Sequence, residues 1–250
     1  MENHIYALIG KSLQHSFSPA YYNSYFSYHG MNDYSYQTIE IDKINDLIPI
    51  LKTNPTIEGF NVTLPYKEKI IPLLDKMSPS AKKIGAVNVV KVFRNQDQFE
   101  LHGHNTDYKG FESMFKVLKY RSIADKNTLI LGSGGVSKSV QYVLRKQEIP
   151  FIVISREKKE NCFTYDQLTR DIIQSHKVII NCTPLGMYPN IDEKPPIDYN
   201  RIGSEHFLID LIYNPDVTEF MKEGLLRSAH VMNGLQMFKV QAKESLKIFL

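Results

Sequence analysis

Residues 129–137 read Leu129-Ile-Leu-Gly132-Ser-Gly134-Gly135-Val-Ser137, an apolar run that ends in closely spaced glycines. The apolar part, Thr128–Leu131, predicts a buried strand, and the residues Lys138–Gln147 predict a helix. Glycines at this spacing let an anion approach the main chain, and the N–H groups at the start of the helix face it. The stretch predicts a strand–turn–helix unit that holds the pyrophosphate of a dinucleotide. A plain glycine turn between strand and helix is the alternative.

The next apolar run ends about 20 residues beyond the glycines, where a dinucleotide fold meets the adenosine ribose. An acidic residue there favours NAD, whereas an arginine suits the 2′-phosphate of NADP. This strand ends in Ser155 and Arg156, and Lys158 and Lys159 follow closely. The pattern therefore predicts NADP, although the carboxylate of Glu157 would repel a phosphate. A solvated charged loop is the alternative.

The composition excludes several classes of protein. The chain has 250 residues, 42% of them hydrophobic and 23% charged, as in ordinary soluble domains. A net charge of +3 gives no indication of nucleic-acid binding. The two cysteines, Cys162 and Cys182, fit neither a metal site nor a disulfide framework. No signal-peptide pattern opens the chain and no apolar run reaches about 18 residues, so we expect a cytoplasmic protein that neither spans nor binds a membrane.

The alternation of predicted strands and helices indicates an α/β fold with a mainly parallel sheet. Strands are predicted at Ile5–Ile9, Tyr34–Ile41, Ile57–Val62, Ala86–Phe93, Phe99–His102, Phe151–Ile154, Val178–Asn181 and Phe207–Leu211. Helices are predicted at Pro19–Tyr28, Ile44–Lys52, Pro65–Asp75, Pro79–Ile84, Tyr108–Lys119 and Leu235–Phe249.

We expect two α/β domains. Residues 1–104 with 235–250 would form a substrate-binding, catalytic domain with a mainly parallel sheet. Residues 105–234 would form a Rossmann-type dinucleotide-binding domain. A cleft between the two domains is where a substrate and a cofactor would meet.

Two serines precede the first predicted helix in the stretch His15-Ser16-Phe17-Ser18-Pro19. In extended backbone, residues two apart lie on one face, so both hydroxyl groups could donate to one carboxylate. Ser18 also suits the N-cap of a helix that has proline at its first position. The N-cap alternative does not explain the serine at position 16, Ser16.

A lysine breaks a local rule in the stretch Asn61-Val-Thr63-Leu-Pro65-Tyr-Lys67. Pro65 predicts a helix start, which would put Lys67 in the first turn, where a cation opposes the helix dipole. Such conflicts are expected at functional sites, and a lysine there could donate or accept a proton. An ordinary surface lysine, offset by Glu68, is the alternative.

Three further polar residues interrupt apolar patterns. Asn88 lies inside an apolar strand, so it either pairs with main chain or faces a polar ligand. Asp107 precedes a helix, either as its N-cap or as a carboxylate that binds substrate and holds a lysine charged. Gln241 lies on the apolar stripe of the last helix, either at a surface edge or in contact with substrate.

These residues resemble the shikimate dehydrogenase family in seven ordered blocks that cover nearly the whole chain. The blocks are H-S-x-S-P at 15–19, N-V-T-x-P-x-K at 61–67, G-A-V-N at 85–88, N-T-D at 105–107, G-S-G-G-V-S at 132–137, N-C-T-P-x-G-M at 181–187 and N-G-L-x-M-F at 233–238, followed by Gln241. The resemblance implies an NADP-dependent enzyme that reversibly reduces 3-dehydroshikimate to shikimate in aromatic amino-acid biosynthesis.

The resemblance also assigns roles by position. Lys67 and Asp107 would be the catalytic pair. Substrate would contact Ser16 and Ser18 through its carboxylate, and Thr63, Lys67, Asn88, Asp107, Tyr213 and Gln241 around its ring. The cofactor would contact Gly132, Ser133, Gly134, Gly135, Val136 and Ser137 through its pyrophosphate, Ser155 and Arg156 through its adenosine phosphate, and Thr183, Leu211 and Gly234 at the nicotinamide.

Family members usually have N-R-T followed by a second arginine at the adenosine site, where this chain has Ser155-Arg156-Glu157. Two other functions therefore stay open: a quinate or shikimate dehydrogenase of broader or NAD-linked specificity, and an NADP-binding module without turnover. We expect a monomer or a homodimer with no nucleic-acid partner.

Overall fold

A computed structural model describes residues 3–96, 98–120 and 126–250. The chain forms two compact units, Met1–Thr106 with Gln241–Leu250, and Asp107–Val240. The domain boundaries expected from the sequence, after residues 104 and 234, stay a prediction. Within the described ranges, no helix combines the length and the apolar character needed to cross a membrane.

Among its described residues, the first unit has six strands and three α-helices of its own. The strands are β1 (His4–Gly10), β2 (Tyr34–Glu40), β3 (Ile57–Val62), β4 (Lys76–Met77), β5 (Val89–Asn95) and β6 (Gln98–His104). The helices are α1 (Ser18–Tyr28), α2 (Leu47–Thr53) and α3 (Pro79–Ile84).

The second unit also has six strands, with helices between them. The strands are β7 (Thr128–Leu131), β8 (Phe151–Ser155), β9 (Phe163–Thr164), β10 (Val178–Asn181), β11 (Phe207–Asp210) and β12 (His230–Met232). The helices are α4 (Asp107–Tyr120), α5 (Gly135–Lys146), α6 (Arg170–Ser175) and α7 (Glu219–Leu225). The last helix, α8 (Leu235–Phe249), begins in the second unit and ends in the first.

The first sheet has the order β2-β1-β3-β5-β6-β4. Strand β1 runs parallel to both β2 and β3, and β4 runs parallel to β6, whereas β5 is antiparallel to its neighbours β3 and β6. Alternate residues of β1 enter two cores: Ala7 and Ile9 join one, and Tyr6 and Leu8 join the other. Because both faces of β1 are covered, this strand is apolar along nearly its whole length.

The second sheet has the order β12-β11-β10-β7-β8-β9, and all five neighbouring pairs are parallel. Strand β7 is buried on both faces, with Ile130 in one core and Leu129 and Leu131 in the other. Since the strands are parallel, their carboxyl ends lie along one edge of the sheet, where ligands of open α/β sheets bind. The two mostly parallel sheets confirm the predicted α/β class.

One predicted helix is wrong. The stretch Pro65–Asp75 forms turns and a short 3-10 helix at Ile71–Leu73 instead of an α-helix. Pro72 lies in the middle of the predicted helix, where it has no N–H to donate and its ring clashes with the carbonyl four residues earlier.

Candidate active site

Ser16 and Ser18 are joined by a hydrogen bond at the start of α1. Ser18 is the first residue of this helix and is buried, while Phe17 occupies the N-cap position. The N-cap alternative for Ser18 is therefore wrong. The main-chain N–H of Ser18 donates to Ser16 Oγ over 3.2 Å. This bond uses only the acceptor capacity of the Ser16 hydroxyl, whose O–H can still donate to an anion.

Thr63 and Lys67 lie in the turns that follow β3. The N–H of Thr63 donates to the carbonyl of Ile9 over 2.9 Å, which holds it to the end of β1. Lys67 lies in a turn, so the expected conflict with a helix dipole is wrong. The carbonyl of Lys67 accepts from the N–H of Val87 over 2.7 Å, which fixes the lysine main chain to the segment that leads into Asn88.

Asn88 is buried and hydrogen-bonded to Thr106 and Gln241, the residues at which the chain leaves and re-enters the first unit. It lies in a bend just before β5, one residue earlier than the strand itself. Its Nδ2 donates to Thr106 Oγ1 over 2.9 Å and to Gln241 Oε1 over 3.3 Å, and its Oδ1 accepts from the N–H of Thr106 over 2.7 Å. The structure thus brings two predicted substrate residues, Asn88 and Gln241, into direct contact.

Asp107 is the first residue of α4 and is buried at 4% exposure. It lies inside the helix, not at the N-cap position that the simpler interpretation gave it. Burial raises the pKa of the Tyr213 phenol to about 12, and the negative charge of Asp107 adds to this effect. The Tyr213 ring packs on Phe238 with 4.6 Å between ring centroids. The Tyr213 phenol therefore keeps its proton to higher pH than an exposed tyrosine, and it can donate a hydrogen bond.

The glycine-rich turn leaves one side of its main chain open. Gly132 has φ +104°, and a Cβ there would lie 3.1 Å from main-chain atoms of Cys182. Gly134 precedes α5 at the N-cap position with φ −83°, and a Cβ there would meet no atom within 4 Å. Since this open side of the main chain adjoins the N–H groups of the first turn of α5, the turn fits a bound pyrophosphate. Ser137 is fully buried and small enough to keep this helix close to the sheet.

The residues predicted for the adenosine phosphate adjoin that turn. Ser155 ends β8, and its Oγ lies 3.1 Å from Ser133 Oγ. Lys159 Nζ donates to the same Ser133 oxygen over 3.0 Å. The exposed Arg156 follows Ser155 directly. A cation and two hydroxyl groups therefore gather at the end of β8, a donor set that suits a phosphate.

The residues predicted for the nicotinamide follow β10, β11 and β12. Gly234 lies against Leu211 so closely that a Cβ on it would be 2.1 Å from the Leu211 carbonyl oxygen. The N–H of Gly234 also donates to Ile212 O over 3.0 Å. Thr183 Oγ1 donates to Asn181 Oδ1 over 2.6 Å. Only glycine fits at position 234, because its neighbours there are main-chain atoms that cannot rotate away.

A buried carboxylate that the sequence analysis missed supports this end of the site. Asp210 is fully buried and accepts from Thr218 Oγ1 (2.6 Å), Ile212 N (3.0 Å) and Asn181 Nδ2 (3.1 Å). Burial raises its pKa to about 6, against the opposing effect of these three bonds. Because Asn181 in turn accepts from Thr183, the carboxylate orients both side chains. The sequence signal that could have identified Asp210 is an acidic residue at the end of the apolar run Phe207–Asp210.

The comparisons with known proteins all indicate the same family. A model of the shikimate dehydrogenase substrate binding domain matches residues 8–90. A shikimate dehydrogenase (NADP(+)) from Methanosphaera stadtmanae is 34% identical, covering 98% of this chain and 90% of that protein. The crystal structure of shikimate dehydrogenase from Aquifex aeolicus has a TM-score of 0.84 at 32% identity and covers 99% of this chain and 92% of that one. The Thermus thermophilus enzyme in complex with NADP(H) and shikimate has a TM-score of 0.81 at 26% identity, with 98% and 93% covered. This chain belongs to the shikimate dehydrogenase family.

Proposed function

We propose that this protein is an NADP-dependent shikimate dehydrogenase that reversibly reduces 3-dehydroshikimate to shikimate, a step of aromatic amino-acid biosynthesis. The observation that carries the proposal is the full-length similarity to enzymes of that name, at 34% identity over 98% of the chain. The Thermus thermophilus relative, which binds NADP(H) and shikimate, supports both the cofactor and the substrate. Cytoplasmic location and a monomeric or dimeric state remain predictions.

The substrate would be held by groups that can donate to its carboxylate and bind its ring hydroxyls. Ser16 and Ser18 would bind the carboxylate, in keeping with the donor that the Ser16 hydroxyl keeps when it accepts from Ser18 N. Ring contacts would come from Tyr213, whose phenol can donate a hydrogen bond and whose pKa is raised further above neutral by burial and by Asp107. The remaining ring contacts would come from Thr63, Lys67, Asn88, Asp107 and Gln241.

The bound cofactor supplies the hydride that reduces the ring carbonyl. Lys67 donates a proton to the carbonyl oxygen as negative charge develops there, and removes it from the hydroxyl group in the reverse direction. Asp107 accepts a hydrogen bond from a ring hydroxyl and so fixes the ring while the proton moves. Each role uses an ordinary property of its group: an ammonium donates and a carboxylate accepts.

The cofactor would be held at the carboxyl edge of the second sheet. The open side of Gly134 supports pyrophosphate binding at residues 132–137. Ser155 and Arg156 would bind the adenosine phosphate, with Lys159 adding a second cation at the same place. Thr183, Leu211 and Gly234 would line the nicotinamide end, where the fit of Gly234 against Leu211 leaves no room for a side chain.

The decisive assay follows the oxidation of NADPH by the purified protein in the presence of 3-dehydroshikimate, and the reverse reaction with shikimate. We expect turnover in both directions, with kcat/KM at least about tenfold higher for NADP than for NAD, and for shikimate than for quinate. Comparable rates with quinate or NAD would identify the broader dehydrogenase instead. Tight NADPH binding without turnover would identify a non-catalytic module and refute the proposal.

A further inference from the structure

Ser245 is a fully buried hydroxyl on an otherwise apolar face of α8. It lies one turn after Gln241 and among the buried side chains Ala242, Leu246 and Phe249. A buried hydroxyl is costly unless it is hydrogen-bonded, and alanine is the better helix former. A serine here breaks the local rule, so its hydrogen bonds are expected to matter.

The Ser245 hydroxyl joins three parts of the first unit. Its Oγ donates to the carbonyl of Gln241 over 2.9 Å and accepts from Asn61 Nδ2 over 3.2 Å. It also lies 3.1 Å from Thr106 Oγ1. Asn61 is itself fixed, because its Oδ1 accepts from Tyr36 OH over 2.7 Å. Ser245 thus ties the last helix to the end of β3 and to the residue that precedes Asp107.

The number of hydroxyl hydrogens determines which group donates in each of these bonds. A serine has one O–H to donate, and Ser245 uses it on Gln241 O, so the hydrogen between the two hydroxyls comes from Thr106. Thr106 Oγ1 then accepts from Asn88 Nδ2 over 2.9 Å. The orientation of the Asn88 amide is not arbitrary, since its Oδ1 faces a main-chain N–H, that of Thr106, which can only donate.

The same reasoning determines the orientation of the Gln241 side-chain amide. Asn88 presents Nδ2 to Gln241, so the Gln241 group at 3.3 Å must be its oxygen, Oε1. The amide nitrogen of Gln241 therefore points away from Asn88 as a donor. Thr106 Oγ1 has two longer acceptors, Asn88 Oδ1 at 3.4 Å and Gln241 Oε1 at 3.5 Å. The Ser245 acceptor at 3.1 Å keeps the Thr106 hydrogen away from both.

We infer that Ser245 is a positioning residue for substrate binding: its hydroxyl holds the Thr106 hydroxyl against Asn88 Nδ2 and so supports the Asn88–Gln241 contact that directs the Gln241 amide nitrogen to a ring hydroxyl. The inference rests on the proposed function. Without this hydroxyl, one hydrogen of Asn61 loses its acceptor, and the Thr106 hydroxyl loses the 3.1 Å partner that holds it beside Asn88 Nδ2. The Thr106 side chain can then rotate, which removes one of the contacts that hold Asn88 in place beside Gln241.

The test is Ser245→Ala in the full-length protein, with steady-state kinetics and a calorimetric Kd for shikimate. We expect KM and Kd for shikimate to rise about tenfold, the usual effect of leaving a buried group unpaired, while KM for NADP changes less than about twofold. Thr106→Val, which removes the partner hydroxyl, should give a similar rise. The double variant should be no worse than about the larger single effect, because both changes break one chain of bonds.

Ser139→Ala is the matched control, since Ser139 is also a fully buried helical serine but lies in α5 of the second unit. It should leave KM and Kd for shikimate within about twofold of the parent values. If Ser245→Ala lowers the melting temperature but keeps shikimate KM within about twofold, Ser245 is only structural and the inference is wrong. If it fails to fold, Thr106→Val decides by the same criterion. A parent protein that neither binds nor oxidises shikimate overturns the proposed function and this inference together.

Discussion

Replacing Gly134 by alanine tests whether the glycine-rich turn binds the cofactor pyrophosphate. The backbone of Gly134, with φ −83° and ψ −174°, is open to any residue, and an added Cβ would meet no atom within 4 Å. In the cofactor-free protein two small effects oppose each other. Alanine restricts the unfolded chain, worth about 0.4–1 kcal/mol, but is a poorer N-cap than glycine by a similar amount. The melting temperature should therefore stay within about 3 °C.

Cofactor binding should respond very differently. The added methyl group would occupy the open side of the main chain, where the pyrophosphate is expected to approach. Overpacking by one methyl group costs about 1–3 kcal/mol, which corresponds to a Kd for NADPH that is about 5- to 150-fold higher. The Kd is measured by the fluorescence of bound NADPH or by calorimetry, beside a melting curve without cofactor.

Gly203→Ala is the matched control, because a Cβ at Gly203 also meets nothing within 4 Å and this glycine lies outside the turn. It should raise the melting temperature by no more than about 3 °C, through the restriction of the unfolded chain, and leave the Kd unchanged. The reasoning is refuted if Gly134→Ala keeps the parent melting temperature and binds NADPH within about twofold of the parent Kd. The phosphates would then not approach the main chain at this residue.

Three further changes test other parts of the site. Lys67→Ala should lower kcat by about 10²–10⁴, the usual contribution of an acid–base group, with a smaller change in shikimate KM; a rate near that of the parent would remove Lys67 from the mechanism. Arg156→Ala should raise KM for NADP about tenfold and leave KM for NAD nearly unchanged, since only NADP carries the phosphate; an unchanged ratio of kcat/KM values would contradict this. Burial raises the pKa of Asp210 to about 6 from an ordinary 3.8, so the folded protein binds this proton more tightly than the unfolded chain. That stabilisation is complete below about pH 4 and is lost as pH rises through 6, a change of about 3 kcal/mol. In urea unfolding, Asp210→Asn should therefore gain stability relative to the parent between pH 4 and 7, and a constant difference would refute the assignment.

The sequence predicted best where local pattern and tertiary structure agree. The apolar run Thr128–Leu131 and the glycines after it specify strand, turn and helix within about 20 residues, and the structure has all three. The last helix, predicted at Leu235–Phe249, has the same bounds in the structure. Its apolar residues keep helical spacing to the end, and neither glycine nor proline lies inside it, so no signal for a competing structure arises.

The predicted helix at Pro65–Asp75 failed for a reason visible in the sequence. Pro65 suits a helix start, but Pro72 would fall at the eighth position, where the missing N–H breaks the helix ladder. The error carried into the interpretation of Lys67, because the expected conflict with a helix dipole disappears once the residue lies in a turn. A sequence argument can thus select a polar residue as functional for a physical reason that does not hold in the folded structure.

Long-range hydrogen bonds lie beyond what the sequence alone predicts. Asn88 and Gln241 were identified as polar residues in apolar patterns, but their contact joins residues 153 positions apart. The supporting groups Tyr36, Asn61 and Ser245 could not be selected from the sequence, because their burial and their partners depend on the fold. Only the folded sheet and α8 together bring these side chains to one place.

The parallel arrangement of the second sheet separates the residues that form its cores from those proposed to hold the coenzyme. Ser155 is the final residue of β8, while Gly132, Thr183, Leu211 and Gly234 each lie just past the end of a strand whose own residues form the cores. We expect substitutions at exposed positions of these segments, such as Arg156, to alter coenzyme preference while the hydrophobic frame stays untouched. An ancestral scaffold of this kind could diversify its redox preferences through a few substitutions along one rim, without first losing stability.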